Sequence, residues 1–261
     1  MKLFEYEAKD IAREYSLPVP DGIVATSPAE VKEASLKLGG PVMIKAQVLV
    51  AGRGKAGGIR PASTPEEAEL IGNEILSMTL KGEKVSKVLV ERRLASKHER
   101  YVSIVVDRAS KRYTILCSTQ GGVDIEEVAS QHPEEIIRYQ IDPLLGLQEY
   151  ESRTVAKELG YSGKQLIQVT PIVSKLYQIL LSCDAELIES NPLIETESGE
   201  IIAADLRILI DDNSLFRQRK FLERANTYEP DMTQLEIEAR EKGLAYVELT
   251  GNIGIIETAP D

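Results

Sequence analysis

An apolar run that carries a single lysine and then breaks into a cationic, glycine-rich segment constrains this chain more than any other feature. Residues 42–50 are rich in valine and other apolar side chains, and their one charged residue is Lys45. Such a run favours a buried β-strand. Residues 51–58 then combine four glycines with Arg53 and Lys55. The strand is therefore predicted to end in a flexible, positively charged loop.

This strand and loop are suited to binding a polyphosphate. Glycine allows backbone N–H groups to approach anionic oxygens closely, and Arg53 and Lys55 add positive charge. A surface hairpin with hydrated cations is the alternative, but a lysine without a partner inside an apolar strand is costly. The spacing fits neither the GxxxxGK[ST] loop nor the GxGxxG fingerprint. A nucleotide site at this position would therefore belong to another fold.

Composition limits the classes of partner. The chain has 261 residues and a formal net charge of −11. Such acidity argues against nucleic acids and anionic membranes as binding partners, because proteins bind these through basic patches. We see no apolar run long enough to span a bilayer, and the acidic N-terminus does not resemble a signal peptide. Cys117 and Cys183 lie far apart in apolar runs, which favours buried free thiols and a cytoplasmic protein.

The periodicity of the chain changes near residue 95. Strands are predicted over 22–26, 42–50 and 85–91, and helices over 4–15, 27–38 and 64–78. Serine and threonine caps followed by proline mark two of these helix starts. Beyond residue 95 we predict two hairpins, 101–107 with 113–118 and 187–194 with 201–210, and helices over 154–159, 170–183 and 232–242. The pattern indicates an α+β fold with mixed or antiparallel sheets.

The second hairpin holds a group of oxygen donors. Glu189 and Asn191 are two residues apart on a strand and so share a face. A partner strand across a tight turn can bring Asp205 onto that face. Two carboxylates and an amide oxygen suit Mg²⁺, which also keeps waters and substrate phosphates as ligands. An acidic, solvent-facing hairpin is the alternative, but the cationic loop upstream favours a Mg–nucleotide site.

Several stretches together resemble the ATP-grasp part of the β subunits of succinate–CoA ligases. They occur in the family's order and cover nearly the whole chain: residues 3–9, 44–48, 52–58, 121–126, 191–193, 212–217 and 251–254. The resemblance implies an ATP-grasp fold of two subdomains with the nucleotide between them. The small subdomain would be 20–94, the larger would combine 1–19 with 95–243, and 244–261 would begin a linker to a further C-terminal domain.

The resemblance also implies roles for individual residues. Phosphate contacts are expected at Lys45, Gly52, Arg53 and Gly54. Glu91 would contact the base through its backbone, and Glu99 would bind the ribose. Asn191 and Asp205 match Mg²⁺ ligands, with Glu189 close by, and Asn252 lies in the turn that approaches the acid substrate. No catalytic nucleophile is expected on this chain, and His98 and His132, in polar surroundings, are predicted to be surface residues.

The implied reaction converts an acid, CoA and ATP (or GTP) to an acyl-CoA, ADP (or GDP) and phosphate. The phosphoryl group would travel through a phosphohistidine on a partner α subunit, which also carries the CoA site, so a hetero-oligomer is expected. The isolated chain would bind Mg–nucleotide without completing the reaction.

The chain departs from the family pattern at three positions near the site, with Ser190, Arg207 and Thr250 where other residues are frequent. The alternatives to a succinate–CoA ligase are therefore a citrate–, malate– or acetate–CoA ligase or an ATP-citrate lyase. A non-catalytic, nucleotide-sensing ATP-grasp module is a further alternative, although the charged residues of the site are retained.

Overall fold

The computed structural model describes residues 1–222, 233–244, 246–249, 251, 254 and 255. The chain divides into two compact units, Met1–Arg219 and Lys220–Asp261. Within the second unit a helix covers Gln234–Glu241, close to the predicted 232–242. Thr233 and Glu236 cap its start reciprocally: the Thr233 N–H donates to Glu236 Oε2 at 2.7 Å, and the Glu236 N–H donates to Thr233 Oγ1 at 3.3 Å.

The first part of the large unit contains a four-stranded antiparallel sheet. Its elements are α1 (Glu5–Glu14), β1 (Gly22–Ala25), α2 (Pro28–Leu38), β2 (Val42–Ala46), β3 (Ile59–Ala62), α3 (Pro65–Leu76), β4 (Thr79–Leu80), β5 (Glu83–Lys84) and β6 (Val88–Arg92). The sheet has the strand order β1-β6-β2-β3, and β4 pairs separately with β5.

Helices α2 and α3 begin at the predicted caps. Ser27 Oγ accepts the N–H of Glu30 at 3.3 Å, and Thr64 Oγ1 accepts the N–H of Glu67 at 3.2 Å. Each cap satisfies a backbone donor for which the helix itself has no acceptor. The apolar faces of both helices pack on the sheet and bury Ile44, which holds the strand of Lys45 in place.

The second part contains a larger antiparallel sheet. Its elements are β7 (Ser96–Asp107), β8 (Arg112–Ser118), α4 (Ile125–Gln131), β9 (Ile137–Ile141), α5 (Glu149–Glu158), α6 (Gly163–Ser182), β10 (Ala185–Thr196), β11 (Ile201–Ala203) and β12 (Arg207–Ile210). The strand order is β11-β10-β7-β8-β9, and β12 also pairs with β10. Helix α6 covers β10 with a buried stripe at Val169, Val173, Leu176 and Leu180.

The α+β class and both predicted hairpins are confirmed, but several limits were wrong. The strand predicted over 42–50 ends at Ala46, where the Gln47 side chain donates to the carbonyls of Lys45 and Ala46 and turns the chain away. The strand predicted over 201–210 is two short strands, because residues 204–206 break it. Asp205 therefore lies in a loop at the break.

Two of the helices beyond residue 95 are longer than predicted. Those predicted from residues 154 and 170 begin at Glu149 and Gly163. Pro171 lies inside α6, where proline has no N–H to donate and would locally favour a helix start. Packing of α6 on the sheet outweighs that local signal.

The N-terminal segment contacts both sheets. The Leu3 N–H donates to Ile208 O of β12 at 3.1 Å, and Lys9 Nζ donates to the Glu91 carboxylate of β6. The subdomain limits predicted from sequence, 1–19 with 95–243, 20–94 and 244–261, stay a prediction. Within the described residues, no helix is long and apolar enough to cross a membrane.

Candidate functional site

Two cavities share Asp205, Asn191 and Gly122; the first is bordered by the glycine-rich loop and the second by strands β2 and β6. Each has a volume of about 360 Å³. The first is lined by Gly52, Arg53, Gly54 and Glu189 as well, and the second by Lys45, Glu91 and Glu99. The structure therefore brings together every predicted site residue except Asn252, which lies outside the described residues.

Lys45 projects from β2 into a buried ionic cluster, so it has partners within the chain itself. Its Nζ lies 2.7 Å from Glu5 Oε1 and 2.8 Å from both Glu91 Oε2 and Ala204 O. Burial alone would lower the pKa of Lys45, but the carboxylates of Glu5 and Glu91 outweigh it and raise the pKa. Lys45 is therefore a permanent cation at the cavity wall.

Glu5 and Lys9 on α1 complete this cluster, and neither was predicted to have a role. Lys9 is fully buried, and its Nζ contacts Glu5 Oε1 at 2.7 Å, both Glu91 oxygens at 2.7 and 2.8 Å, and Ala204 O at 2.7 Å. Only the four-residue spacing of Glu5 and Lys9 hinted at a pair. The Glu91 side chain, for which only a backbone contact was predicted, also belongs to this cluster.

Arg53 connects the glycine-rich loop to the predicted metal ligands. Its Nη1 donates to Ala46 O at 3.0 Å, while Nη2 lies 3.0 Å from Glu5 Oε2 and 3.2 Å from Asp205 Oδ2. Gly52, with φ of 82°, provides the left-handed turn that directs this side chain inward. The predicted phosphate cation Arg53 and the predicted metal carboxylate Asp205 thus form an ion pair with each other.

Asn191 and Glu189 place further oxygen donors at the cavity. Asn191 Oδ1 accepts the N–H of Gly122 at 2.7 Å, and its Nδ2 donates to Val123 O at 2.9 Å. Burial raises the pKa of Glu189, against the charge of Arg207, and the Tyr101 hydroxyl donates to Glu189 Oε2 at 3.1 Å. The donor set is thus all oxygen, as Mg²⁺ prefers.

The predicted metal ligands do not form a preformed cluster of charged side chains. Among the described residues, no group of three His, Cys, Asp or Glu side chains is placed to hold a metal ion. The amide of Asn191 and the carboxylates of Asp205 and Glu189 nevertheless line one cavity. This arrangement suits an ion that takes its other ligands from water and phosphate.

A surface ion pair joins the two sides of the first cavity. Lys55 Nζ of the glycine-rich loop lies 3.1 Å from Asp124 Oδ2, next to the glycine turn 121–122. Both side chains are exposed, so the pair is screened and weak. His98 and His132 are exposed, as the sequence predicted.

Comparisons with known proteins identify the family. Residues 2–195 match the ATP-grasp domain family. The chain is 45% identical over 259 residues to the β subunit of succinate–CoA ligase [ADP-forming] from Pyrobaculum arsenaticum, covering 98% of this chain and 68% of that protein. The same subunit from Chloroflexus aurantiacus is 43% identical over 256 residues, covering 97% of this chain and 67% of that protein.

Solved structures show the same fold at much lower identity. A dinucleotide-forming acetyl-coenzyme A synthetase of Ca. Korarchaeum cryptofilum superposes with a TM-score of 0.67 at 20% identity, covering 80% of this chain and 93% of its own. ATP citrate lyase from Methanothrix soehngenii gives a TM-score of 0.67 at 21% identity, covering 92% of this chain and 59% of its own. At such low sequence identities the structural similarity supports the fold alone.

Proposed function

This chain belongs to the ATP-grasp family of the succinate–CoA ligase β subunits, and from that premise we propose that it is the nucleotide-binding chain of an ADP-forming acid–CoA ligase. One observation carries the proposal. The cations Lys45 and Arg53 and the oxygen donors Asn191 and Asp205 face the same pair of cavities. Polyphosphate binding requires positive charge and metal ligands on opposite sides of the anion.

The proposed reaction converts succinate, CoA and ATP to succinyl-CoA, ADP and phosphate. The phosphoryl group passes to a histidine of a partner α subunit and from there to the acid, so the active form is a hetero-oligomer. Transfer of this group demands positioning and charge neutralisation rather than a nucleophile on this chain. The isolated chain accordingly binds nucleotide but does not catalyse the ligase reaction.

The residues of the cluster have distinct parts in this scheme. Lys45 and Arg53 exchange their carboxylate partners for phosphate oxygens, and the glycines of residues 52–54 donate backbone N–H groups. Asp205 and Asn191, with Glu189 near them, hold Mg²⁺, which offsets charge on the phosphates. Base contact at the backbone of Glu91, ribose contact at Glu99 and acid contact at Asn252 complete the proposed site.

A cytoplasmic location is part of the same proposal. Cys117 and Cys183 are buried thiols, as expected for a protein kept in a reducing compartment.

Calorimetric titration with Mg–ADP tests the proposed nucleotide binding. The wild-type chain is expected to bind ADP only when Mg²⁺ is present. Asp205→Asn removes a proposed ligand charge and should weaken binding by at least about tenfold. Asp184→Asn is a matched control, because Asp184 also pairs with an arginine, at 2.7 Å, and its side chain is 22% exposed against 27% for Asp205.

The two variants separate the outcomes. If Asp205→Asn and Asp184→Asn bind Mg–ADP with equal affinity, Asp205 is not part of the binding site. Absence of Mg-dependent binding by the wild-type chain would contradict nucleotide binding by this chain. Turnover of succinate, malate, citrate and acetate by the chain with its α partner then identifies the acid, and a partnered enzyme that uses none of them would favour a nucleotide sensor.

A further inference from the structure

Lys9 is a buried ammonium group for which the proposed function has no use. It lines neither of the two cavities, and it is fully buried, whereas Lys45 keeps 8% of its surface exposed. A buried lysine loses its hydration and is tolerated only with compensating partners. Lys9 has these, because its Nζ lies within 2.8 Å of two carboxylates and a backbone carbonyl.

Lys9 and Lys45 share the same three partners. Both ammonium groups contact Glu5 Oε1, the Glu91 carboxylate and Ala204 O, at 2.7–2.8 Å. Glu5 also faces Arg53 with its other oxygen at 3.0 Å. The cluster is charge-balanced as a result, with Lys9, Lys45 and Arg53 opposite Glu5, Glu91 and Asp205.

The charge balance of the cluster changes if an uncharged side chain replaces Lys9. Lys45 and Arg53 would then face three carboxylates, and the cluster would carry one net negative charge at the wall of the cavity. An incoming phosphate would meet cations that are fully committed to protein carboxylates. Such effects are strong in a buried site, where the local dielectric constant is low.

We propose that Lys9 is a positioning residue for phosphate binding, which offsets the charge of Glu5 and Glu91 and so leaves Lys45 and Arg53 available to the phosphates of the nucleotide. The proposal rests on the proposed nucleotide binding and assigns a function to the N-terminal helix. Lys9 acts through Lys45 and does not touch the ligand.

Two variants and a control test the proposal by calorimetry with Mg–ADP. Lys9→Met retains the length of the side chain without its charge, and should weaken binding by at least about tenfold, which is one unit in the logarithm of the affinity. Lys9→Met combined with Glu5→Gln removes one charge of each sign from the cluster, because Glu5 Oε1 lies 2.7 Å from Lys9 Nζ, so most of the affinity should return. Lys175→Met removes a lysine whose ammonium group donates to Ser16 O, far from the cluster in sequence and outside both cavities, and should change nothing.

The melting temperature of each variant distinguishes an effect of charge balance on binding from a general destabilisation of the fold. Rescue of both melting temperature and affinity in the double variant supports the proposal. Wild-type affinity in Lys9→Met would overturn it, as would a double variant that regains its melting temperature but not its affinity. If Lys9→Met is too unstable to titrate, the double variant decides, because only charge balance predicts near-wild-type affinity without Lys9. A wild-type chain that fails to bind Mg–ADP would instead refute the proposed function, and the role of Lys9 with it.

Discussion

Replacement of Glu5 by glutamine measures how much the buried ionic cluster stabilises the fold. The Glu5 side chain is 1% exposed, with Lys9 and Lys45 each 2.7 Å from Oε1. Removing one partner from a buried ion pair costs about 3–5 kcal/mol. Glutamine keeps an acceptor oxygen of the same shape, which returns about 1 kcal/mol. We therefore expect Glu5→Gln to lower the free energy of unfolding at neutral pH by about 2–4 kcal/mol.

The pH dependence of this difference has a definite sign. Burial alone would raise the pKa of Glu5, but the charges of Lys45, Lys9 and Arg53 hold it well below its usual value. A carboxylate whose pKa is lowered on folding contributes its full stabilisation above its unfolded-state pKa of about 4.3. That contribution is lost as the pH falls further. The gap between wild type and Glu5→Gln should therefore be constant near neutral pH and narrow in acid.

Urea unfolding at a series of pH values measures the gap. Asp10→Asn is the control on the same helix, because Asp10 pairs with Arg13 at 2.6 Å and the side chains are 65% and 39% exposed. An exposed pair of this kind contributes at most about 1 kcal/mol. A Glu5→Gln loss no larger than the Asp10→Asn loss, or a gap that widens in acid, would refute the reasoning.

Two further predictions concern packing. Gly121→Ala should destabilise the chain by about 1–3 kcal/mol in urea unfolding, because a Cβ there would overlap the backbone of Arg100, whereas a Cβ at Gly54 meets nothing closer than Ile59 Cδ1 at 3.9 Å. Equal losses for Gly121→Ala and Gly54→Ala would contradict this explanation. Burial raises the pKa of the Cys117 thiol to about 12, so a thiol reagent should label Cys117 in the native protein far more slowly than in urea. Rapid native labelling, measured against a Cys117→Ser control, would show that the thiol is accessible.

Contacts within a few residues explain why some elements were predicted well. The caps at Ser27 and Thr64 involve N–H groups only three residues away, so the sequence pattern contains the whole interaction. Strand limits depend on distant partners. Val48 and Val50 have strand-forming side chains, but β2 ends at Ala46 and the chain turns into the loop, where the Gly58 carbonyl accepts the Ala46 N–H.

The candidate site shows the same division. The strand–loop pattern and the second hairpin were enough to predict Lys45, Arg53, Asn191 and Asp205 as site residues, and the structure places all four around the same two cavities. Asp205 was placed on a strand, whereas it lies in the break between β11 and β12. Its pairing with Arg53 could not be predicted, because it joins two loops that are distant in sequence.

The sequence by itself determined the α+β class, the cationic loop and the oxygen donors, because alternation of side chains, glycine and capping residues act locally. Only the tertiary structure decided which charges neutralise one another. Lys9 reaches Glu91, 82 residues along the chain, and Lys45 reaches Ala204, 159 residues along. Glu5 and Lys9 of the N-terminal helix are buried because α1 packs where both sheets meet. Periodicity tells which face a residue occupies, but not what that face will contact once distant segments have packed together.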